Sequence, residues 1–275
     1  MHGSVPPSLP RPGITHVIFD FDGTLSWLRH GWPELMAGLF LKHVPLSDLT
    51  LTARSQVHDQ LLSDILSLNG KSSIFQMEKC ASRVRQHGGP ELLPEEMLSQ
   101  YSDALEKTIR HRKTAISEGR AHRDDFVVYG ARALLEQLQH RELVLIILSG
   151  TVEHQVKEEA DLLGLAKFFG RHIYGGTADL AQSSKQAVLE RLSREENVPG
   201  QQLLSFGDGP VEIALTKQAG GVAVGVASDE DQNGSGKMDP FKVQQLSEAG
   251  ADLLIADYRE PERLLERLLA NQTVS

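Results

Sequence analysis

A doubly wound, Rossmann-like α/β fold is what this sequence predicts: a parallel sheet with helices on both faces, and an all-helical segment inserted after the first strand. Three observations carry that prediction. Short apolar runs rich in β-branched residues alternate with amphipathic helical stretches through most of the chain. Several of those runs stop abruptly at acidic, hydroxyl or glycine residues, as buried parallel strands do where they border a ligand crevice. From Ser26 to Arg123, by contrast, the periodicity is helical and no segment reads as a strand.

The elements follow in order. Residues 1–13 hold four prolines and no apolar run, so they read as a flexible tail without the pattern of a signal peptide. Ile14–Phe19 is the first strand. Trp32–His43, Ser47–Leu68, Ser73–His87 and Pro94–Glu118 are amphipathic helices, separated by breakers at Pro45, Asn69-Gly70 and Gly88-Gly89-Pro90. They make residues 26–123 a cap, and leave 14–25 and 124–275 as the sheet domain. Leu143–Leu148 is a second strand. It ends in Ser149-Gly150-Thr151, with a helix over Val152–Leu163 and Thr151 as its N-cap. Leu203–Phe206, Gly221–Val226 and Leu253–Ile255 are further strands, and Lys185–Glu195, Pro210–Ala219 and Pro261–Leu269 are helices. Ser228–Pro240, polar and glycine-rich, reads as a mobile loop after a strand.

The composition restricts the function. With 275 residues, 40% of them apolar and 24% charged, the chain can bury an ordinary globular core. A formal charge of -9 argues against a polyanion-binding surface, hence against nucleic acid as a partner. The one cysteine, Cys80, has no intramolecular mate and reads as a buried, inert thiol suited to a reducing compartment. Apolar runs such as Leu143–Leu148 are too short to span a bilayer. A cytoplasmic protein with no membrane partner is the expectation. Eleven histidines are scattered without a zinc-like pairing, and Arg110-His111-Arg112-Lys113 reads as a solvated helix face.

The chemistry concentrates at strand ends. Asp20 and Asp22, one residue apart after a buried strand, are costly there unless a cation lies close. Gly23 permits a sharp turn behind them. A hard divalent cation answers the repulsion, and Asp208 in Gly207-Asp208-Gly209-Pro210-Val211-Glu212 offers further oxygens. Strand-end aspartates also serve as plain turn residues, but two such ends converging in one parallel sheet favour a site. Ser149, the amides around Gly150 and Thr151, and Lys185 at the start of a helix supply donors suited to a phosphate.

In this order and at these strand ends, Asp20-Phe21-Asp22-Gly23-Thr24, Ser149-Gly150-Thr151, Lys185, and Asp208 with Glu212 resemble the four motifs of the haloacid dehalogenase superfamily of phosphatases and phosphomutases. The resemblance spans about Ile14 to Ile255. It implies a magnesium-dependent phosphatase acting on a small phosphorylated metabolite, a sugar phosphate or similar, through an aspartyl-phosphate on Asp20. Asp22 would protonate the leaving oxygen and then activate water. A carboxylate at position 22 sets phosphate-ester chemistry apart from dehalogenation, since a halide needs no proton. Asp20, the Asp22 carbonyl and Asp208 would hold Mg2+, with Glu212, longer than the usual aspartate, in the outer shell, while Ser149, Gly150 and Lys185 would bind phosphate. A phosphomutase uses the same motifs, and a non-catalytic binding module would be expected to lack one of them. Substrate choice would fall to the cap, with Lys71 and Arg29 as candidates. Trp27, His30 and Trp32 suit either site lining or packing.

Overall fold

A computed structural model describes residues 13–45, 50–68, 73–176, 185–195 and 198–269. In chain order the elements are β1 (His16–Phe19), α1 (Trp32–Leu41), α2 (Leu51–Leu66), α3 (Ser73–Gln86), α4 (Pro94–Ser117), α5 (Ala131–His140) and β2 (Val144–Val152). There follow α6 (Glu153–Leu162), α7 (Ala166–Phe169), β3 (Ile173–Gly176), α8 (Lys185–Glu195), β4 (Leu203–Gly207) and α9 (Pro210–Gln218). The chain closes with β5 (Val222–Val226), α10 (Pro240–Glu248), β6 (Leu253–Ile255) and α11 (Pro261–Leu269).

The six strands form one parallel sheet in the order β3-β2-β1-β4-β5-β6. From β1 the chain winds outward through β2 and β3, then returns to lay β4 on the other side of β1. That reversal between β1 and β4 opens a crevice at their carboxyl ends, where ligands bind in open α/β sheets. The register pairs Phe19 with Phe206, so the residues just beyond them, Asp20 and Gly207-Asp208, leave the sheet side by side. Both sheet faces are buried, and alternation along β1 sends Val17 and Phe19 to one hydrophobic cluster and Ile18 to another. Phe19 stacks on Phe206 with ring centroids 4.9 Å apart, and Tyr258 meets Phe206 edge-on at 5.7 Å. The Tyr258 hydroxyl donates to the Thr24 carbonyl at 3.1 Å, so a buried core residue braces the turn that carries the acidic motif.

The chain divides into two compact units, one built from the residues up to Leu28 and from Ala115 onward, the other from Arg29–Thr114. The helical unit has its own core, in which Met36, Phe40, Leu61, Ile65, Met77 and Cys80 are fully buried. Burial pushes the Cys80 thiol up to about 12, so it is inert. Asp64, also buried there, accepts two bonds from Arg83 at 2.7 and 3.2 Å. The unit is narrower than 26–123 at both ends. Ser26, Trp27 and Leu28 are buried with the sheet, the Trp27 amide donates to the Phe126 carbonyl at 2.8 Å, and Ile116 packs on the sheet's core.

Several elements depart from the sequence reading. The strand after Leu143 does not stop at Leu148: Ser149, Gly150 and Thr151 continue it, α6 begins at Glu153, and its cap position is Val152 with no side-chain bond. Thr151 is therefore not an N-cap. β3 was not anticipated, because four residues ending in two glycines carry too little periodicity to register. α5, α7 and α10 were likewise missed. Arg112 is not on a solvated face: it is half-buried, donates to the His30 carbonyl at 3.0 Å and meets the His30 ring at 3.1 Å. No described helix is long and apolar enough to cross a membrane.

Candidate active site

Asp20 follows β1 directly and is only 8% exposed, its amide donating to the Phe206 carbonyl at 2.9 Å. One carboxylate oxygen, Oδ1, lies 2.8 Å from Lys185 Nζ. The same ammonium donates to Glu212 Oε2 at 3.0 Å, and Glu212 Oε1 accepts from the Gly209 amide at 2.7 Å. α9 starts at Pro210, so Glu212 reaches back over the first turn of its own helix. That return needs Gly207, where a Cβ would stand 2.2 Å from Glu212 Cγ.

Oxygens of Asp20, Asp208 and Glu212 all lie within 4.8 Å of one another. Burial pushes the Asp20 carboxyl well above the usual carboxylate range; Lys185 opposes the shift, while Glu212 and Asp208 add to it. Burial alone would depress Lys185, but Asp20 and Glu212 overcome it and hold the ammonium above the ordinary lysine range. Three carboxylates gathered at the crevice offer oxygen donors only, which fits a hard divalent cation and not a soft one.

Asp22 does not join this cluster. Its Oδ2 accepts from the Thr151 hydroxyl at 2.7 Å, so the residue misread as a helix cap instead ties β2 to the first motif. Between the two aspartates' destinations stands Gly23, at φ +75°, a conformation that side-chain-bearing residues adopt at a cost. A Cβ there would lie 2.1 Å from Asp208 Oδ2. Gly23→Ala should therefore displace Asp208, and we expect divalent-cation binding, followed by calorimetry on the purified chain, to fall by at least about tenfold, as it does when the groups that orient metal ligands are disturbed.

The other expected residues fall as follows. Ser149, 2% exposed, sits in β2 next to β1, and its Oγ accepts from the Thr151 amide at 3.1 Å. Gly150 is exposed in the same strand, with nothing within 4 Å of where a Cβ would be. Arg29 is part-buried at the first residue of the helical unit, and Lys71 lies outside the described residues. Trp27 packs with the sheet's core and Trp32 against the helical core.

The residue that sequence reasoning missed is Lys242, on α10. It is buried, and its Nζ lies 3.0 Å from Asp208 Oδ2 and 2.5 Å from Glu230 Oε1. A lysine inside an amphipathic helix gives no local signal of such a role. Within the glycine-rich stretch 228–240 the Asp229 carboxylate accepts from the amides of Asp231 and Gln232 and the Ser235 hydroxyl, and these bonds hold it below the usual carboxylate range although burial opposes them.

A family model for haloacid dehalogenase-like hydrolases matches residues 14–220. No curated protein sequence matches the chain. Among solved structures, a haloacid dehalogenase-like protein of Agrobacterium tumefaciens is 16% identical, covers 93% of this chain and 99% of its own, and superposes with a TM-score of 0.64. A family hydrolase of Deinococcus radiodurans, solved with phosphate and sodium, is 16% identical over 93% of this chain and 95% of its own, with a TM-score of 0.58. CbbY of Rhodobacter sphaeroides, solved with xylulose-1,5-bisphosphate, is 17% identical over 90% of this chain and 96% of its own, with a TM-score of 0.52. At these identities the structures speak for the fold. The family model covers the strand ends that bring Asp20, Lys185, Asp208 and Glu212 together, and the chain belongs to the haloacid dehalogenase-like hydrolases.

Proposed function

We propose that this hydrolase is a magnesium-dependent phosphatase of small phosphorylated metabolites, a sugar phosphate or a similar monoester, working through an aspartyl-phosphate. The observation that carries the reading is that its two first-motif carboxylates have different partners. Asp20 is held by Lys185 beside Asp208 and Glu212, whereas Asp22 accepts from the Thr151 hydroxyl. Lys185 and a bound cation favour the ionised Asp20 against its burial, as attack on phosphorus requires, while the Thr151 hydroxyl fixes where Asp22 stands.

In this mechanism Asp20 attacks the phosphorus and the ester oxygen leaves with a proton from Asp22. Asp22, now a carboxylate, takes a proton from the water that cleaves the aspartyl-phosphate and releases inorganic phosphate. Ser149, the Gly150 amide and Lys185 bind the phosphoryl oxygens, where charge concentrates. Asp20, Asp208 and the Asp22 carbonyl would hold Mg2+, with Glu212 outside the first shell because Lys185 and the Gly209 amide already engage both its oxygens. When bound, the ion supplies charge neutralisation and polarises a phosphoryl oxygen. The helical unit, with Arg29 and Lys71 as candidates, is assigned the choice of substrate. An inert Cys80 agrees with a cytoplasmic setting.

The test is phosphate release from a panel of sugar phosphates, nucleotides and short phosphoacids, with Mg2+ and with a chelator. We expect release from at least one small monoester, lost on chelation. A sugar phosphate isomerised without phosphate accumulating would assign a phosphomutase instead. Cation binding with no turnover of any ester would assign a non-catalytic binding module.

A further inference from the structure

Lys242 lies beyond residues 14–220, the part of the chain that the family model matches. Its side chain is 6% exposed, and burying an ammonium is costly unless every N–H finds an acceptor. Here all three do. Asp208 Oδ2 and Glu230 Oε1 lie at 3.0 and 2.5 Å, and Ser228 Oγ accepts at 3.1 Å. The Ser228 hydroxyl in turn donates to the Gly23 carbonyl at 3.1 Å. Gly23 is the residue whose missing Cβ leaves room for Asp208 Oδ2. The contacts close a ring: Asp208, Lys242, Ser228, Gly23 and back to Asp208.

The backbone under this ring is also fixed. Asp239 caps α10 by accepting from the amides of Phe241 and Lys242 at 2.8 and 2.9 Å, which sets where the lysine leaves the helix. Ser228 and Glu230 flank Asp229, whose carboxylate ties the turn together. The charges are arranged with the same economy. Glu230 is not one of the three clustered carboxylates, so Lys242 has a counter-charge besides Asp208.

We propose that Lys242 is a positioning residue for the divalent-cation site: it grips Asp208 through Oδ2 and so presents the other carboxylate oxygen, Oδ1, to the ion, with Glu230 cancelling its charge. This rests on the reading of Asp208 as a cation ligand, and extends it to residues 228–242, which otherwise have no part in the site. A lysine that merely balanced buried charge would predict something different. Removing Lys242 and Glu230 together leaves the net charge of the region unchanged but releases Asp208.

The experiment measures Mn2+ binding to the metal-stripped full chain by calorimetry and by the loss of the free-ion electron paramagnetic resonance signal. Lys242→Met and the double variant K242M/E230Q are expected to weaken Mn2+ binding by about tenfold or more, the usual scale for losing a group that orients a metal ligand. The double variant guards against a folding failure, since replacing both members of a buried ion pair by neutral residues is often neutral for stability, whereas removing one is not. Lys242→Arg, which keeps a donor, is expected to recover most of the affinity. A K242M/E230Q variant that is folded and binds Mn2+ as the wild type does would overturn the positioning role and leave charge balance alone. Asp208→Asn with undiminished Mn2+ affinity would instead overturn the cation-site reading on which the proposal stands.

Discussion

Asp20→Asn is expected to lower metal-dependent phosphate release by at least about a thousandfold, because an amide neither attacks phosphorus nor binds a hard cation as an anion does. The fold should survive, and in the absence of divalent ions it should gain. Asp20 has its folded-state pKa raised by burial and by Glu212 and Asp208, against the pull of Lys185. For a group raised in this way, the stabilising contribution is fully present below the unfolded carboxylate value and is lost as pH rises toward the folded one. The neutral amide has no such loss. The melting temperature of the metal-free variant should therefore exceed that of the wild type by a margin that widens as pH rises above about 4, the ordinary aspartate value. Phosphate assays and thermal scans in chelator check the two halves separately. Retained activity would remove Asp20 from the nucleophile's role, and a variant that melts lower throughout would show that Lys185 outweighs burial and the like charges.

Lys185→Met should have the opposite effect on stability. The ammonium is buried between Asp20 at 2.8 Å and Glu212 at 3.0 Å, so its removal leaves two buried carboxylates without their shared partner. Breaking a buried pair from one side costs about 3–5 kcal/mol, far more than any exposed pair is worth. That is a large fraction of a typical domain's total stability. A divalent ion offers the same carboxylates another counter-charge, so Mg2+ should raise the melting temperature of Lys185→Met more than that of the wild type. Denaturant titrations with and without Mg2+ measure this directly. Equal Mg2+ effects in the two proteins would mean that the ion and Lys185 do not share acceptors. Activity should also drop, since the same ammonium is assigned to the phosphoryl oxygens.

The contrast with Tyr258 sets the scale. Its hydroxyl makes one neutral buried bond to the Thr24 carbonyl, so its loss would be felt at about 1 kcal/mol. The charged groups around Asp20 therefore dominate the energetics of this corner of the sheet, and they do so because three acids are held together where water is scarce.

Much of the candidate site is legible in the sequence. Asp20, Asp22, Asp208 and Glu212 sit where apolar runs end, and a buried strand that ends in acid is a local pattern visible in a handful of consecutive residues. The helical character of the segment that follows the first motif is likewise readable, since α1 to α4 are each long enough to repeat an amphipathic period. Thr151 was not readable. A hydroxyl before an amphipathic run has the local signature of a cap, and only the parallel pairing of β1 with β2 turns it toward Asp22. Arg112 shows the same limit, since its basic neighbours suggest a wet surface while the contact with His30, far away in sequence, takes it inside.

What the sequence determined by itself is therefore the fold class and the family of chemistry, through short motifs whose meaning is carried by adjacent residues. What only the tertiary structure decided is which groups hold those motifs in place. Lys242 reaches Asp208, and Ser228 reaches Gly23, across separations that no periodicity encodes. The physical reason is that a buried charge must be answered by whatever element the fold lays beside it. Here that element is α10, which returns a lysine to a crevice opened by strands formed much earlier in the chain.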